Sequence, residues 1–130
     1  MLYQTSKIKD QKDETELFKK RPYSFVLKLI NYIDSLPKNR TTNIIGNQLM
    51  RSGTSVLANF IEAKSSSSRK DYINFFNYSL KSANESLLWL SLLRDTRNGD
   101  QKENEVLASE LTEISRILGS SIITLKKRDI

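Results

Sequence analysis

Chain breakers are scarce in this sequence: 130 residues contain four glycines, at positions 46, 53, 99 and 119, and two prolines, Pro22 and Pro37. A chain that turns so seldom is confined to a few long elements, and its apolar residues recur at steps of three and four, the period of helices. Pro22 suits a first helical turn, and Phe25, Val26, Leu29, Ile30, Ile33 and Leu36 predict a first helix to about Ser35, ended by Pro37. Thr41 or Thr42 is placed to cap a second helix with Ile45, Leu49, Ser52, Val56, Asn59 and Ala63 on one stripe. Ser65 to Ser68 read as a hinge, and Ser68 with Asp71 has the form of a capping box opening a third helix, from Arg69 to about Asp95. Asn98, Gly99 and Asp100 supply a stop, a turn and a new cap, with Glu103 placed to complete a second box. The fourth helix follows Leu107, Leu111, Ile114, Leu118, Ile122 and Leu125 and ends among Lys126, Lys127 and Arg128, whose charges suit its dipole. The expected fold is all-α, an antiparallel up-down-up-down four-helix bundle over residues 21–130. Residues 1–20, polar and without a sustained apolar period, are expected to be a mobile extension.

Composition narrows the chemistry. Cysteine and histidine are both absent, which removes disulfides, thiolate nucleophiles, imidazole bases and nearly every zinc site. A bundle holding two irons needs Glu-x-x-His motifs, which this chain lacks. Its glycines cannot build a phosphate-cradling loop. Glu62, Lys81 and Glu85 read as solvated faces rather than acid–base machinery, and Ser52 or Ser55 beside Arg51 or Lys64 has no nucleophile arrangement. No catalytic residue, metal or cofactor is therefore expected. No apolar run is long enough for a membrane span, and the N-terminus is too polar for a signal peptide, so a soluble, cytoplasmic protein is expected.

Two features exceed a simple bundle. Leu87, Leu88, Trp89, Leu90, Leu92 and Leu93 point around almost the whole third helix, more than one core can hide. Either the N-terminal extension seals them or, the preferred reading, Leu88, Trp89 and Leu92 form a subunit interface. In the second helix, Gly53 costs about 1 kcal/mol relative to alanine. Close approach of a neighbouring helix would compensate, a kink being the alternative. Asn59 on the inward stripe is expected to be hydrogen-bonded, fixing register rather than contacting a ligand.

The net charge is +6 with a pI near 9.6, a bias toward anionic partners. The first forty residues carry nine Lys/Arg against five Asp/Glu, and residues 101–130 carry five of each. Antiparallel connectivity would bring Lys19, Lys20 and Arg21 to the same end as Arg69 and Lys70. Such clusters are commonly plain solvated surface; repeated around an oligomer, they would make a phosphate-binding face.

The stretch from Asn47 to Val56, with Arg51, Ser52 and Gly53 at its centre, followed by Ala58-Asn59 and Glu62-Ala63, resembles a bacterial four-helix bundle family. That family is named for intervening-sequence proteins encoded inside large-subunit ribosomal RNA genes. Ser68-Arg69-Lys70-Asp71-Tyr72, Ala83-Asn84-Glu85 and Trp89-Leu90 extend the similarity, which spans about residues 22–126. The resemblance implies a bundle that assembles as a ring-like homopentamer, without assigned enzymatic activity. It marks Arg51, Ser52, Gly53, Asn59 and Glu62 as structural motif positions. More distantly, accessory proteins of diversity-generating retroelements share the basic character and associate with a reverse transcriptase and nucleic acid. Two functions follow as expectations: a non-enzymatic oligomer bound to structured RNA through phosphate contacts, or an oligomeric adaptor for a protein partner.

Overall fold

The computed structural model describes residues 20–128, which form four α-helices and no strand. Helix α1 covers 20–34, α2 Arg40–Ser65, α3 Arg69–Asp95 and α4 Gln101–Lys127. The extension expected over residues 1–20 lies outside the described residues except for Lys20, which is already helical.

Local chemistry sets each boundary. The cap of α2 is Asn39, not Thr41 or Thr42. The Asn39 side chain accepts the Thr42 backbone N–H at 2.9 Å, and Thr42 Oγ1 accepts the Asn39 backbone N–H at 3.1 Å. Threonine thus fills the return position of a capping box that usually takes Glu or Gln. Its hydroxyl also donates to the Pro37 carbonyl, tying the turn to the helix. Ser68 caps α3 by accepting the Asp71 N–H, and Asp100 caps α4 by accepting the Glu103 N–H. Helix α3 ends at the expected Asp95, but the left-handed stop falls at Arg97, ahead of Asn98 and Gly99. Arg97 takes the left-handed conformation at φ 57°, its N–H bonding the Arg94 carbonyl and that of Asn98 bonding Leu93. This is the Schellman arrangement, with arginine where glycine is usual.

Each helix turns one apolar stripe inward. Phe25 and Leu29 of α1, Leu49 and Val56 of α2, Ala83, Leu90 and Leu93 of α3, and Leu111 and Ile114 of α4 are fully or almost fully buried. Tyr32 joins them because Asn104 of α4, also buried, donates from Nδ2 to its hydroxyl at 3.0 Å and to the Leu90 carbonyl at 2.9 Å. One amide thereby links α1, α3 and α4, satisfying groups whose burial without partners costs about 1 to 3 kcal/mol each.

Small residues bring α2 close to its neighbours. A Cβ on Gly53 would overlap a Leu29 methyl of α1, whereas one on Gly46, two turns earlier, would meet Ile33 and Leu36 at an ordinary 3.6 Å. Toward α3 the small residues are serines. Ser52 and Ser86 hydroxyls lie 2.7 Å apart, Ser55 and Ser82 2.8 Å apart, and Ser79 donates to the Val56 carbonyl. Asn59 donates to the carbonyl and hydroxyl of Ser55, on its own helix.

Candidate nucleic-acid interface

The basic residues singled out from the sequence fall in two places. Lys20 and Arg21 open α1 beside the middle of α4, where Arg21 pairs with Glu113 at 2.7 Å. Hydrogen bonding between the two raises the arginine's pKa and holds the Glu113 carboxyl below the usual carboxylate range. The pair is exposed, so it adds little stability, but it ties up the positive charge of Arg21. Arg69 and Lys70 are exposed on the first turn of α3, where Arg69 and Tyr72 border a hollow with Leu125 of α4. Leu125 stands twelve residues beyond Glu113, about 18 Å along the helix. The described residues therefore do not gather Lys20, Arg21, Arg69 and Lys70 into one compact cluster, and Lys19 lies outside them.

A second group of cations, not singled out from the sequence, does converge. Lys64 near the end of α2 faces Arg116 of α4 and Arg128, which caps that helix, across a groove of about 610 Å³ also lined by Phe76 and Leu125. Along α4 and its cap, Arg116, Ser120, Thr124 and Arg128 recur every four residues, a ridge that advances about 6 Å per step while winding slowly around the helix. Among the described residues no carboxylate lines this groove. Lys64 Nζ donates to Tyr72 Oη at 2.7 Å and sits 5.2 to 5.7 Å from the ring centres of Phe60, Tyr72 and Phe76. Cation–π attraction from three faces holds the ammonium at the wall of the groove. The hollow bordered by Arg69 continues this groove around Tyr72 and Leu125.

The motif positions are distributed differently. Ser52 and Gly53 are buried in helix contacts, Asn59 is half-buried, and Arg51 and Glu62 are exposed. Arg51 lies with Gln48, Ser55, Ser82 and Glu85 around a polar hollow of about 280 Å³ above the serine seam. On the same face of α3, Leu88 is 52% and Leu92 37% exposed; Trp89 is half-buried, its indole N–H lacking an acceptor. Whether the N-terminal extension covers these residues concerns atoms outside the described set. Among the described residues no group of three or more acidic side chains is placed to hold a metal ion, and no helix is long and apolar enough to cross a membrane.

Four helices with a basic groove at one end define a small helical-bundle protein without a nucleotide-cradling loop. Within that class, residues 15–120 match the model of the 23S rRNA-intervening sequence protein family, and the chain belongs to it. A crystal structure from Bacteroides thetaiotaomicron, of a protein with unknown function from the S23 ribosomal protein family, is similar at 35% identity and a TM-score of 0.75. The match covers 81% of this chain and 97% of that one. No curated protein matches.

Proposed function

We propose that the protein is a non-enzymatic, cytoplasmic, antiparallel bundle that assembles into a ring-like homo-oligomer, a pentamer by family expectation, and associates with RNA through phosphate contacts. The observation that carries the RNA reading is charge segregation. Among the described residues, Lys64, Arg69, Lys70, Arg116, Lys126, Lys127 and Arg128 lie toward the end where α2 and α4 finish and α3 begins, against Glu62 and Asp71. Neutralising several phosphates releases counterions, so such a surface binds nucleic acid with a steep salt dependence. Antiparallel packing is supported by partner numbers that fall on one helix as they rise on the next, as in Ser52–Ser86 and Ser55–Ser82. Self-association is supported by the exposed Leu88 and Leu92 beside Trp89.

Fluorescence anisotropy with a structured RNA, titrated over salt, tests the reading. The expected result is binding that weakens linearly in log salt, with replacement of Arg69, Lys70, Lys126 and Lys127 by glutamine flattening the slope. Salt-independent or absent binding refutes it. Static light scattering at micromolar concentration tests assembly, and a clean monomer mass refutes the oligomer. The adaptor reading is favoured by the same Leu88 and Leu92 surface, and capture of a defined protein partner without RNA affinity would establish it.

A further inference from the structure

We infer that the groove between Lys64 and the Arg116–Arg128 face of α4 is a seat for an unpaired strand of RNA, one chain of nucleotides wide, rather than a general anionic surface. The inference rests on the RNA reading above and adds which conformation of RNA the site accepts.

Shape is the first ground. The groove runs over the start of α3, with the end of α2 on one side and the last turns of α4 on the other, two helices that do not touch each other, so Lys64 and the arginines stand on opposite rims of a trough and can hold one chain of nucleotides from both sides. Its volume of about 610 Å³ exceeds what one phosphate ion needs. Charge placement is the second ground. Arg116 and the Arg128 that caps α4 stand three four-residue steps apart, about 18 Å along the helix axis, too far to clasp one phosphate but matched to phosphates about three nucleotides apart on an extended strand. Between them Ser120 and Thr124 offer hydroxyls that both donate and accept, matching sugar 2′-hydroxyls and phosphate oxygens.

Lys64 faces this stripe from the opposite wall. Most lysines lose rotamer freedom when they grip an anion; here three aromatic rings and the Tyr72 hydroxyl have already fixed the ammonium. Phe76 is buried and Tyr72 half-buried, so the floor offers ring edges and little stacking area. Among the described residues no Asn or Gln lines the groove to read base edges. Strand binding should therefore tolerate sequence, holding the backbone and leaving bases outward.

Anisotropy on the full-length protein, with a labelled short oligouridylate and an RNA hairpin stem of the same phosphate number, tests this. The expected wild-type preference for the unpaired strand is about tenfold or more. Arg116→Gln with Arg128→Gln should lose about tenfold on the single strand and reduce its salt slope by about 1.4, the loss of two contacts at about 0.7 each. Thr124→Trp adds bulk to the groove at unchanged charge. It should weaken single-strand binding as much while leaving stem binding at the wild-type value. Circular dichroism and oligomer mass check the fold, and Ser120→Trp, one turn away and exposed, replaces Thr124→Trp should the latter misfold. Equal wild-type affinity for strand and stem overturns the groove while the RNA reading stands. So does a charge variant that weakens binding when neither tryptophan variant does. Absence of binding to either RNA overturns both.

Discussion

Gly46 and Gly53 provide an internally controlled test of close helix packing, because both lie in α2, are buried, and face α1 two turns apart. Replacing either by alanine raises helix propensity by the same amount, about 1 kcal/mol. At Gly46 the new methyl meets Ile33 and Leu36 at 3.6 Å, ordinary contact, so Gly46→Ala should stabilise by about that 1 kcal/mol. At Gly53 the methyl overlaps Leu29, which is fully buried and cannot swing its methyl into solvent. Overpacking of this kind costs about 1 to 3 kcal/mol, so Gly53→Ala should fall between neutral and about 2 kcal/mol destabilising. The two variants should thus differ by about 1 to 3 kcal/mol despite identical chemistry. Gly53→Leu should be worse than Gly53→Ala. Leu29→Val, which removes the colliding carbon, should recover part of the Gly53→Ala loss in the double variant. Urea unfolding followed by circular dichroism measures this, at one fixed protomer concentration because association contributes to apparent stability. If Gly53→Ala stabilises as much as Gly46→Ala, α1 is not in close contact there and the packing argument fails.

Arg97 occupies a left-handed conformation that costs a side-chain-bearing residue roughly 1 to 2 kcal/mol. Arg97→Gly should therefore raise the urea midpoint, and an unchanged or lower midpoint would contradict this. Asn104→Ala leaves the Leu90 carbonyl and Tyr32 hydroxyl without their amide partner and should cost about 1 to 3 kcal/mol in the same assay, whereas a cost near zero would mean that water replaces the amide. Burial raises the pKa of Tyr32, so the folded protein holds this phenolic proton at pH values where the unfolded chain releases it. With more protons bound in the folded state, stability falls as pH rises above the unfolded value of about 10. Tyr32→Phe should flatten that alkaline decline in melting temperature, and an unchanged slope would remove Tyr32 as its source.

The helical frame was legible because periodicity and caps agree: the ends predicted for α3, Arg69 and Asp95, are those observed. The misplaced cap of α2 has a local cause. Asn39, Thr41 and Thr42 are all cap formers, and spacing alone does not say that Thr42 acts as the return partner of Asn39. Tyr32 and Asn104 escaped the apolar pattern because each is buried by virtue of the other, a pairing between residues far apart in the chain. The groove escaped for a similar reason. Residues 101–130 balance in charge, yet Glu103, Glu105, Glu110 and Glu113 precede Arg116, while Lys126, Lys127 and Arg128 follow it. Summing over the segment cancels what the helix separates along its length. The four-residue repeat of Arg116, Ser120, Thr124 and Arg128 was visible, but only the approach of Lys64 and Tyr72 from two other helices turns that stripe into a groove.

The serine seam between α2 and α3 bears on how the chain reaches this shape. Its bonds join residues 23, 27 and 34 positions apart, whereas the Tyr32–Asn104 bond spans 72 and the Arg21–Glu113 bond 92. Closing the shorter loops sacrifices less chain entropy, and the seam favours one alignment, since sliding α3 by a turn would break the Ser52–Ser86 and Ser55–Ser82 pairs and take the buried Ser79 hydroxyl away from the Val56 carbonyl. The α2–α3 hairpin is therefore the natural folding nucleus, with α1 and α4 condensing onto a template whose alignment is already set.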